Sequence, residues 1–249
     1  MSVLQALAQA QRPLNLADIA RAAGMGRSGA QRFVFTLKAL GYLEQNPDNK
    51  QYVLSSKMLA FAHAYASTDA VQRLAAPVLE SLREACGETV NLTLLSGNEV
   101  VYVLRYPSRH AVSVNLQIGS RLPAYCTAPG RALLSWLPPE TAKAIIDASD
   151  RRQHTPNTET DPERLMAKLE RVRERGYSVN DQERFVGDVS IAAAVRGRSG
   201  RPVAAINIAV PYPRWTIASL ESEWAEALMQ AAENVSRSLG FMPAAVEQQ

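Results

Sequence analysis

Apolar residues recur at helical spacing in three short segments near the start of the chain. Each segment ends beside a residue that breaks or caps a helix: Pro13 follows the first, Gly24 ends the second and Gly41 ends the third. Ser28 and Gln31 match a capping box, which predicts the start of the third helix. The pattern therefore predicts three short helices before residue 42.

Two strand-like runs follow at residues 42–45 and 51–54, and the residues between them favour a turn. The second and third helices are separated by the tight turn 24–26, which is the arrangement of a helix-turn-helix. Three helices followed by a hairpin predict a winged helix-turn-helix over residues 1–54, an α domain with a β-hairpin wing.

The third helix has a predicted buried side and a predicted exposed side. We expect Ala30, Phe33, Val34 and Leu37 to face the core. The residues predicted to contact DNA lie near the start of this helix or at the hairpin tip: Arg27, Ser28, Gln31, Arg32, Phe35 and Lys50. Glutamine and arginine at a helix start can read base edges in the major groove, and a lysine on the wing can contact phosphate or enter the minor groove.

The excess positive charge lies in the same part of the chain. Residues 1–54 hold six basic and three acidic residues, whereas the rest of the chain is balanced, which gives the net charge of +3. This asymmetry indicates an anionic partner, double-stranded DNA, and so few charges imply a dimer that doubles the contacts. Two alternatives stay open: Arg27, Arg32 and Lys38 could merely solvate a surface helix, or Arg32 could pair with an acid of its own domain.

Residues 55–85 are helical in pattern, with a break at 67–69. We expect two helices here, the second capped by Thr68 or Asp69. This segment is interpreted as a helical linker between two domains. Phe61 and Tyr65 could also form an apolar seam between two chains.

The periodicity changes to that of strands after Gly87 and then alternates between the two types. Strand-like runs lie at 89–95, 99–105, 111–116, 177–180, 189–195 and 203–210, and helical runs lie at 130–137, 139–148, 161–175 and 219–239. The first two strands are joined by the hairpin turn 96–98. Residues 86–249 are therefore predicted to form an α+β domain with an antiparallel sheet.

Several classes of protein are excluded by what the sequence lacks. It has no run of about 18 apolar residues and no basic, apolar leader, so we expect a cytoplasmic protein that is not bound to a membrane. It has two cysteines and three scattered histidines, and it contains no phosphate-binding loop, dinucleotide fingerprint or nucleophile motif. Asp181 and Glu183 are expected to cap or solvate a loop. We therefore expect neither an enzyme nor a metal or bound cofactor.

The order of elements and six motifs resemble the IclR family of bacterial transcriptional regulators over essentially the whole chain. The motifs lie at residues 27–32, 37–43, 119–134, 175–177, 181–187 and 191–211. The resemblance implies a DNA-binding domain, a helical linker and a GAF-like effector domain. It also implies a homodimer or a dimer of dimers whose contacts with DNA change when a small metabolite binds.

Within the family, segments 123–127, 130–131 and 205–207 are most similar to the branch that regulates breakdown of protocatechuate, 4-hydroxybenzoate and β-ketoadipate pathway compounds. The pair Gln31-Arg32 and residues 39–42 agree with that branch. The resemblance therefore implies an aromatic acid as the small-molecule effector. Two alternatives stay open: the same architecture could sense a small aliphatic keto acid, or the C-terminal domain could serve only oligomerisation.

The resemblance implies eight effector-binding positions in two clusters: Ala111, Val114, Ala128 and Pro129 in the first, and Asn180, Ser190, Asn207 and Ala209 in the second. Backbone N–H groups near 128–130 would suit a carboxylate, because they begin a helix. Ser190 and Asn207 could bind a carboxylate or a ring hydroxyl, or could instead satisfy backbone groups.

The apolar members of both clusters have a second interpretation. Ala111, Val114 and Ala209 lie on predicted strands and could belong to the core. Asn207 and Ala209 depart from the pattern of relatives that bind small keto acids, which favours a different ligand. Arg105 could reach a carboxylate if its strand faces the pocket, which periodicity does not decide.

Overall fold

The computed structural model describes residues 2–10, 12–110, 116–212 and 214–242. The chain divides into two compact units, Met1–Thr68 and Asp69–Gln249. This boundary falls inside the predicted linker 55–85, so the two helices of that segment belong to different units. No helix in the described part of the chain is long and apolar enough to cross a membrane.

The first unit is a winged helix-turn-helix, as predicted. Its elements are α1 (Ser2–Ala10), α2 (Leu16–Ala22), α3 (Arg27–Ala39), β1 (Leu43–Gln45), β2 (Tyr52–Leu54) and α4 (Leu59–Thr68), with a short 3-10 turn at Ser56–Met58. β1 and β2 form an antiparallel hairpin. Leu7, Ile19, Val34 and Leu43 make a small core that holds the helices against the hairpin.

Two predictions about α3 are wrong. Gly26 is its N-cap and no side chain caps this end, because Ser28 already lies within the first turn. Phe33 is 56% exposed, whereas Ala30 and Val34 are buried. The small core accepts only the stripe at positions i, i+4 and i+7, and Phe33 is turned about 100° from Val34 around the helix.

The second unit is built on a six-stranded antiparallel sheet, again as predicted. Its elements are α5 (Ala70–Cys86), β3 (Thr89–Ser96), β4 (Glu99–Tyr106), β5 (Arg121–Pro123), α6 (Ala128–Leu134), α7 (Pro139–Asp147), α8 (Pro162–Arg175), β6 (Ser178–Asp181), β7 (Asp188–Arg196), β8 (Pro202–Pro211) and α9 (Ile217–Ser238). The strand order is β5-β4-β3-β8-β7-β6. Asp69 caps α5, one of the two predicted caps. The sequence pattern did not predict β5, because three residues are too few to show a period. The predicted strand 111–116 lies almost wholly outside the described residues.

The two faces of this sheet differ in character, because side chains alternate along each strand. One face is apolar and packs on α5 and α9 through residues such as Leu92, Ile206 and Ile208. The opposite face carries small and polar residues, and α6 covers part of it by packing on β7 and β8. The uncovered part of the polar face is where a ligand can approach the sheet.

A glycine allows α6 to approach the segment that precedes it. A Cβ atom added at Gly130 would lie 2.1 Å from the carbonyl oxygen of Ala124. Real Cβ atoms do not come so close to a backbone oxygen, so a larger residue would force the helix away from this segment.

We expect Gly130→Ala to lower the free energy of unfolding of the second unit by about 3 kcal/mol or more, because the backbone must move. Gly29→Ala is the control, since Gly29 also lies in a helix but has no atom within 4 Å of an added Cβ. That substitution should be neutral or raise the stability by about 0.5–1 kcal/mol. Urea denaturation followed by circular dichroism measures both, and equal stability of the wild type and Gly130→Ala would contradict the close approach.

Candidate DNA-binding surface and ligand cavity

The start of α3 presents an exposed polar surface. Arg27, Ser28, Gln31, Arg32 and Phe35 are all exposed, and their spacing of three and four residues places them on one side of the helix. The structure therefore brings together the five predicted DNA-contacting residues of this helix.

The two arginines of this surface are not used in internal contacts. Among the residues that the structure describes, the guanidinium groups of Arg27 and Arg32 form no ion pair or hydrogen bond, although the Arg32 carbonyl oxygen accepts from the Thr36 hydroxyl. The alternative in which Arg32 pairs with an acid of its own domain therefore finds no support. Lys38, by contrast, donates from Nζ to Oε1 of Gln45 at 2.8 Å and links α3 to β1.

Lys50 lies on the hairpin, as predicted, but its ammonium is engaged there. Its Nζ donates to the carbonyl oxygen of Pro47 at 2.7 Å. Its backbone has a positive φ of 57°, which the turn requires. An ammonium group has three N–H donors, so two remain for a contact between Lys50 and phosphate.

The polar face of the second unit contains a cavity of about 300 Å³. It lies among β3, β4, β6, β7, β8, the start of α6 and the loop 182–187. Five predicted effector positions line it: Pro129, Asn180, Ser190, Asn207 and Ala209. Ala128 is enclosed in the core and does not line it. Ala111 and Val114 lie outside the described residues.

The strand register explains why residues distant in sequence meet here. Asn207 on β8 is opposite Asn91 on β3, and Asn91 is opposite Arg105 on β4. In the neighbouring row, Ser190 on β7 lies between Asn180 on β6 and Ala209 on β8. Two rows of polar side chains therefore cross the floor of the cavity.

Hydrogen bonds connect the first of these rows. Nη1 of Arg105 donates to Oδ1 of Asn91 at 3.0 Å, and Nδ2 of Asn91 donates to Oδ1 of Asn207 at 3.4 Å. Asn207 thus contacts another side chain and not the backbone groups that the alternative interpretation required. Ser190 makes no side-chain hydrogen bond with the described residues, so its hydroxyl can bind a ligand.

The cavity contains charges of both signs. Burial raises the pKa of Asp188 to about 7, and the charge of Arg105 partly opposes this rise. Burial also lowers the pKa of Arg105 from its ordinary value. The pKa of Tyr102 is raised by burial first and by the charge of Asp188 second. An ionised group in this site is therefore poorly solvated and gains from a ligand of opposite charge or with a suitable hydrogen bond.

The start of α6 offers less to an anion than the sequence predicts. The hydroxyl of Thr127 accepts the hydrogen bond from the Gly130 N–H at 3.3 Å, and Pro129 has no N–H. The expected cradle of N–H groups at 128–130 is therefore largely absent. Arg105 and Arg184 in the cavity wall supply positive charge instead.

The residues of the cavity wall that were missed or undecided from sequence include Asn91, Tyr102, Arg105 and Asp188. One signal was available for Asn91. In β3 the polar residues Thr89, Asn91 and Thr93 alternate with apolar ones, and all three are buried. Buried polar residues on one face of a strand indicate a functional surface or a hydrogen-bond network.

The loop that closes one side of the cavity is anchored by a buried ion pair. Arg131 on α6 contacts Glu183 through Nη2–Oε1 at 2.9 Å and Nη1–Oε2 at 3.1 Å. Lys168 adds a third contact to Glu183 at 3.1 Å. Glu183 therefore holds the loop in place, where the sequence predicted a capping or solvated acid.

Comparison with known proteins places both units in one family. A model of the IclR helix-turn-helix domain matches residues 1–47, and a model described as bacterial transcriptional regulator IclR, C-terminal, matches residues 63–237. The Pca regulon regulatory protein of Pseudomonas putida is 32% identical over 240 residues, which are 96% of this chain and 82% of that protein.

Solved structures agree with this match. A crystal structure from Rhodococcus sp. RHA1 has a TM-score of 0.82 and 34% identity, covering 96% of this chain and 95% of that one. An IclR homolog of Microbacterium hydrocarbonoxydans in complex with 4-hydroxybenzoate has a TM-score of 0.79 and 25% identity, covering 96% of each chain. The matched family consists of transcriptional regulators and not of enzymes. The chain therefore belongs to the IclR family of bacterial transcriptional regulators.

Proposed function

We propose that this ligand-responsive regulator controls genes of aromatic-compound catabolism and that its effector is a monocyclic aromatic acid such as 4-hydroxybenzoate or protocatechuate. The observation that carries the proposal is the cavity on the polar face, in which Arg105 lies beside two hydrogen-bonded asparagines. A partly buried cation next to neutral hydrogen-bonding groups is suited to a carboxylate.

The rest of the cavity fits an aromatic ring. Leu116, Leu122, Pro129 and Phe185 supply apolar wall, and the volume of about 300 Å³ is at the small end for ligand pockets. The relative that regulates the Pca regulon and the homolog bound to 4-hydroxybenzoate support an effector of this class.

The same polar residues also suit a small aliphatic keto acid, which is the second candidate. Asn91, Ser190 and Asn207 could hydrogen-bond a keto group as well as a ring hydroxyl. A C-terminal domain that only oligomerises is disfavoured, because charged and polar side chains around a cavity have no role in such a domain.

In the proposed mechanism, two or four chains assemble, and ligand binding in the second unit affects DNA binding by the first. In a dimer, two copies of α3 would enter successive major grooves, with Gln31 and Arg32 reading bases and neighbouring residues contacting phosphates. The ligand can change operator binding only to the extent that it binds one arrangement of the DNA-binding units more tightly than another.

We expect Arg32→Ala to weaken binding to operator DNA by about tenfold or more, because it removes a base or phosphate contact in each copy. Its ligand affinity should remain at the wild-type value. Arg171→Ala, which removes an exposed arginine from the second unit, is the control and should leave both affinities unchanged. Electrophoretic mobility shift at fixed salt, on the promoter fragment beside the gene, measures the first affinity, and calorimetry measures the second. Equal loss of both affinities in Arg32→Ala would contradict the assignment of DNA binding to the first unit and ligand binding to the second.

We expect 4-hydroxybenzoate or protocatechuate to raise the melting temperature of the wild type, because a ligand that binds only the folded state stabilises it. Benzoate, β-ketoadipate, glyoxylate and pyruvate complete the panel for differential scanning fluorimetry. Ser190→Leu should abolish the shift by filling the cavity while operator binding persists. A response to glyoxylate or pyruvate alone would replace the aromatic effector with the second candidate. A shift that survives Ser190→Leu would place the ligand elsewhere.

A further inference from the structure

Asp188 is an unexpected residue in a cavity that is proposed to bind acids. It begins β7 with the same alternation as Ser190, so its side chain lies on the polar face, and it lines the cavity. An ionised carboxylate in this wall repels a ligand carboxylate. This repulsion weakens binding unless the ligand also makes a favourable contact with Asp188, such as a hydrogen bond.

The carboxylate of Asp188 keeps part of its hydrogen-bonding capacity. Oδ2 accepts a long hydrogen bond of 3.4 Å from Nδ2 of Asn180, whose own Oδ1 accepts from the Glu183 N–H. Within the described residues, Oδ1 of Asp188 accepts no hydrogen bond, and no cation lies within ion-pair distance of either oxygen. A partly buried acceptor of this kind gains from a donor on a ligand.

Arg105 and Asp188 are close enough to contact the same bound ligand. Arg105 and Asp188 line the same cavity, and each influences the charge of the other without forming an ion pair between them. A ligand that carries an acid and a hydrogen-bond donor could contact both residues, whereas a plain acid could contact the cations of the wall, Arg105 and Arg184, but would leave Asp188 without a donor.

We propose that Asp188 is a specificity-determining residue of this cavity: its carboxylate accepts a hydrogen bond from a hydroxyl or amine of the ligand and so selects acids that carry such a donor. This inference rests on the proposed function, because it takes the ligand to be an acid. It adds to that function a rule about which acids bind. A site with a buried hydrogen-bonding group rejects analogues that leave the group unpaired far more strongly than it rejects a missing methylene.

The pH dependence of this preference has a defined sign. The charged and titratable groups around Asp188 are Tyr102 and Arg105 on β4 and Arg184 on the loop, while Glu88 in the same cavity is paired with Arg214. With a pKa of about 7, the side chain of Asp188 is mostly protonated at pH 6 and mostly ionised at pH 8. Benzoate should therefore bind more weakly at pH 8 than at pH 6, and the preference for a hydroxylated acid should grow over that range.

The experiment is isothermal titration calorimetry with matched pairs of acids on the full-length protein. The pairs are 4-hydroxybenzoate with benzoate, 4-aminobenzoate with benzoate, and lactate with pyruvate. The variants are Asp188→Leu, which removes the acceptor, and Asp188→Asn, which keeps a neutral one. Asp181→Leu is the control, because Asp181 is an exposed acid at the end of the neighbouring strand β6 and does not line the cavity. Thermal unfolding verifies that each variant is folded.

In the wild type we expect a preference of about tenfold or more for the acid that carries a donor. Asp188→Leu should bring the ratio of the two affinities close to one, through weaker binding of the donor-bearing acid and equal or tighter binding of its partner. Asp188→Asn should keep part of the preference, and Asp181→Leu should keep all of it.

Two results would overturn the inference alone. One is an unchanged ratio in Asp188→Leu, and the other is an equal loss for both members of a pair, which indicates that Asp188 merely positions Asn180. Failure of the proposed function is seen separately, in the wild type. If only lactate or pyruvate binds, the aromatic effector is wrong and the aliphatic pair still tests Asp188. If no acid binds, both proposals fall.

Discussion

One side of the cavity is held in place by a buried ion pair, between Arg131 and Glu183. Their side chains are only 2% and 6% exposed, and removing two charges from water costs several kcal/mol for each ion. Arg131 recovers part of that cost by donating to the carbonyl oxygens of Tyr125 and Val179, and Lys168 adds a second cation to Glu183. The pair therefore ties together α6, the segment before it, β6 and the loop after β6. These elements form one side of the cavity, so this contact fixes the position of that side.

The sheet supplies the polar side chains that line the cavity. Its apolar face is fully used in packing on α5 and α9, whereas α6 covers only part of the polar face. Beside the start of α6, on the part of this face that the helix leaves uncovered, the side chains of Asn91, Ser190 and Asn207 remain available to a ligand. Burial there makes each polar contact selective, because a group left without a partner costs more than it does in water. Effector selectivity can therefore change through a few side chains without change to the scaffold.

Much of the architecture was predicted from the sequence, and the errors have local causes. Helical and alternating periodicities gave the winged helix-turn-helix and the antiparallel sheet, since both depend on which side of an element is apolar. Phe33 was misassigned because periodicity marks a face as apolar without showing whether the core is wide enough to cover it. Ser28 was misassigned because Gly26 already provides the extended residue that begins α3. The strand β5 was missed because three residues are too few to show a period.

The sequence by itself determined the two-part organisation, the exposed basic side of α3 and the family resemblance, because these are carried by local periodicity, charge and contiguous motifs. Only the tertiary structure decided the composition of the cavity. Arg105 meets Asn91 and Asn207 through the register of three strands, and Asp188 faces the same space from a fourth. Strand pairing across more than a hundred residues leaves no mark in any short stretch of sequence. For that reason Asp188 could be assigned to the cavity only in the folded chain.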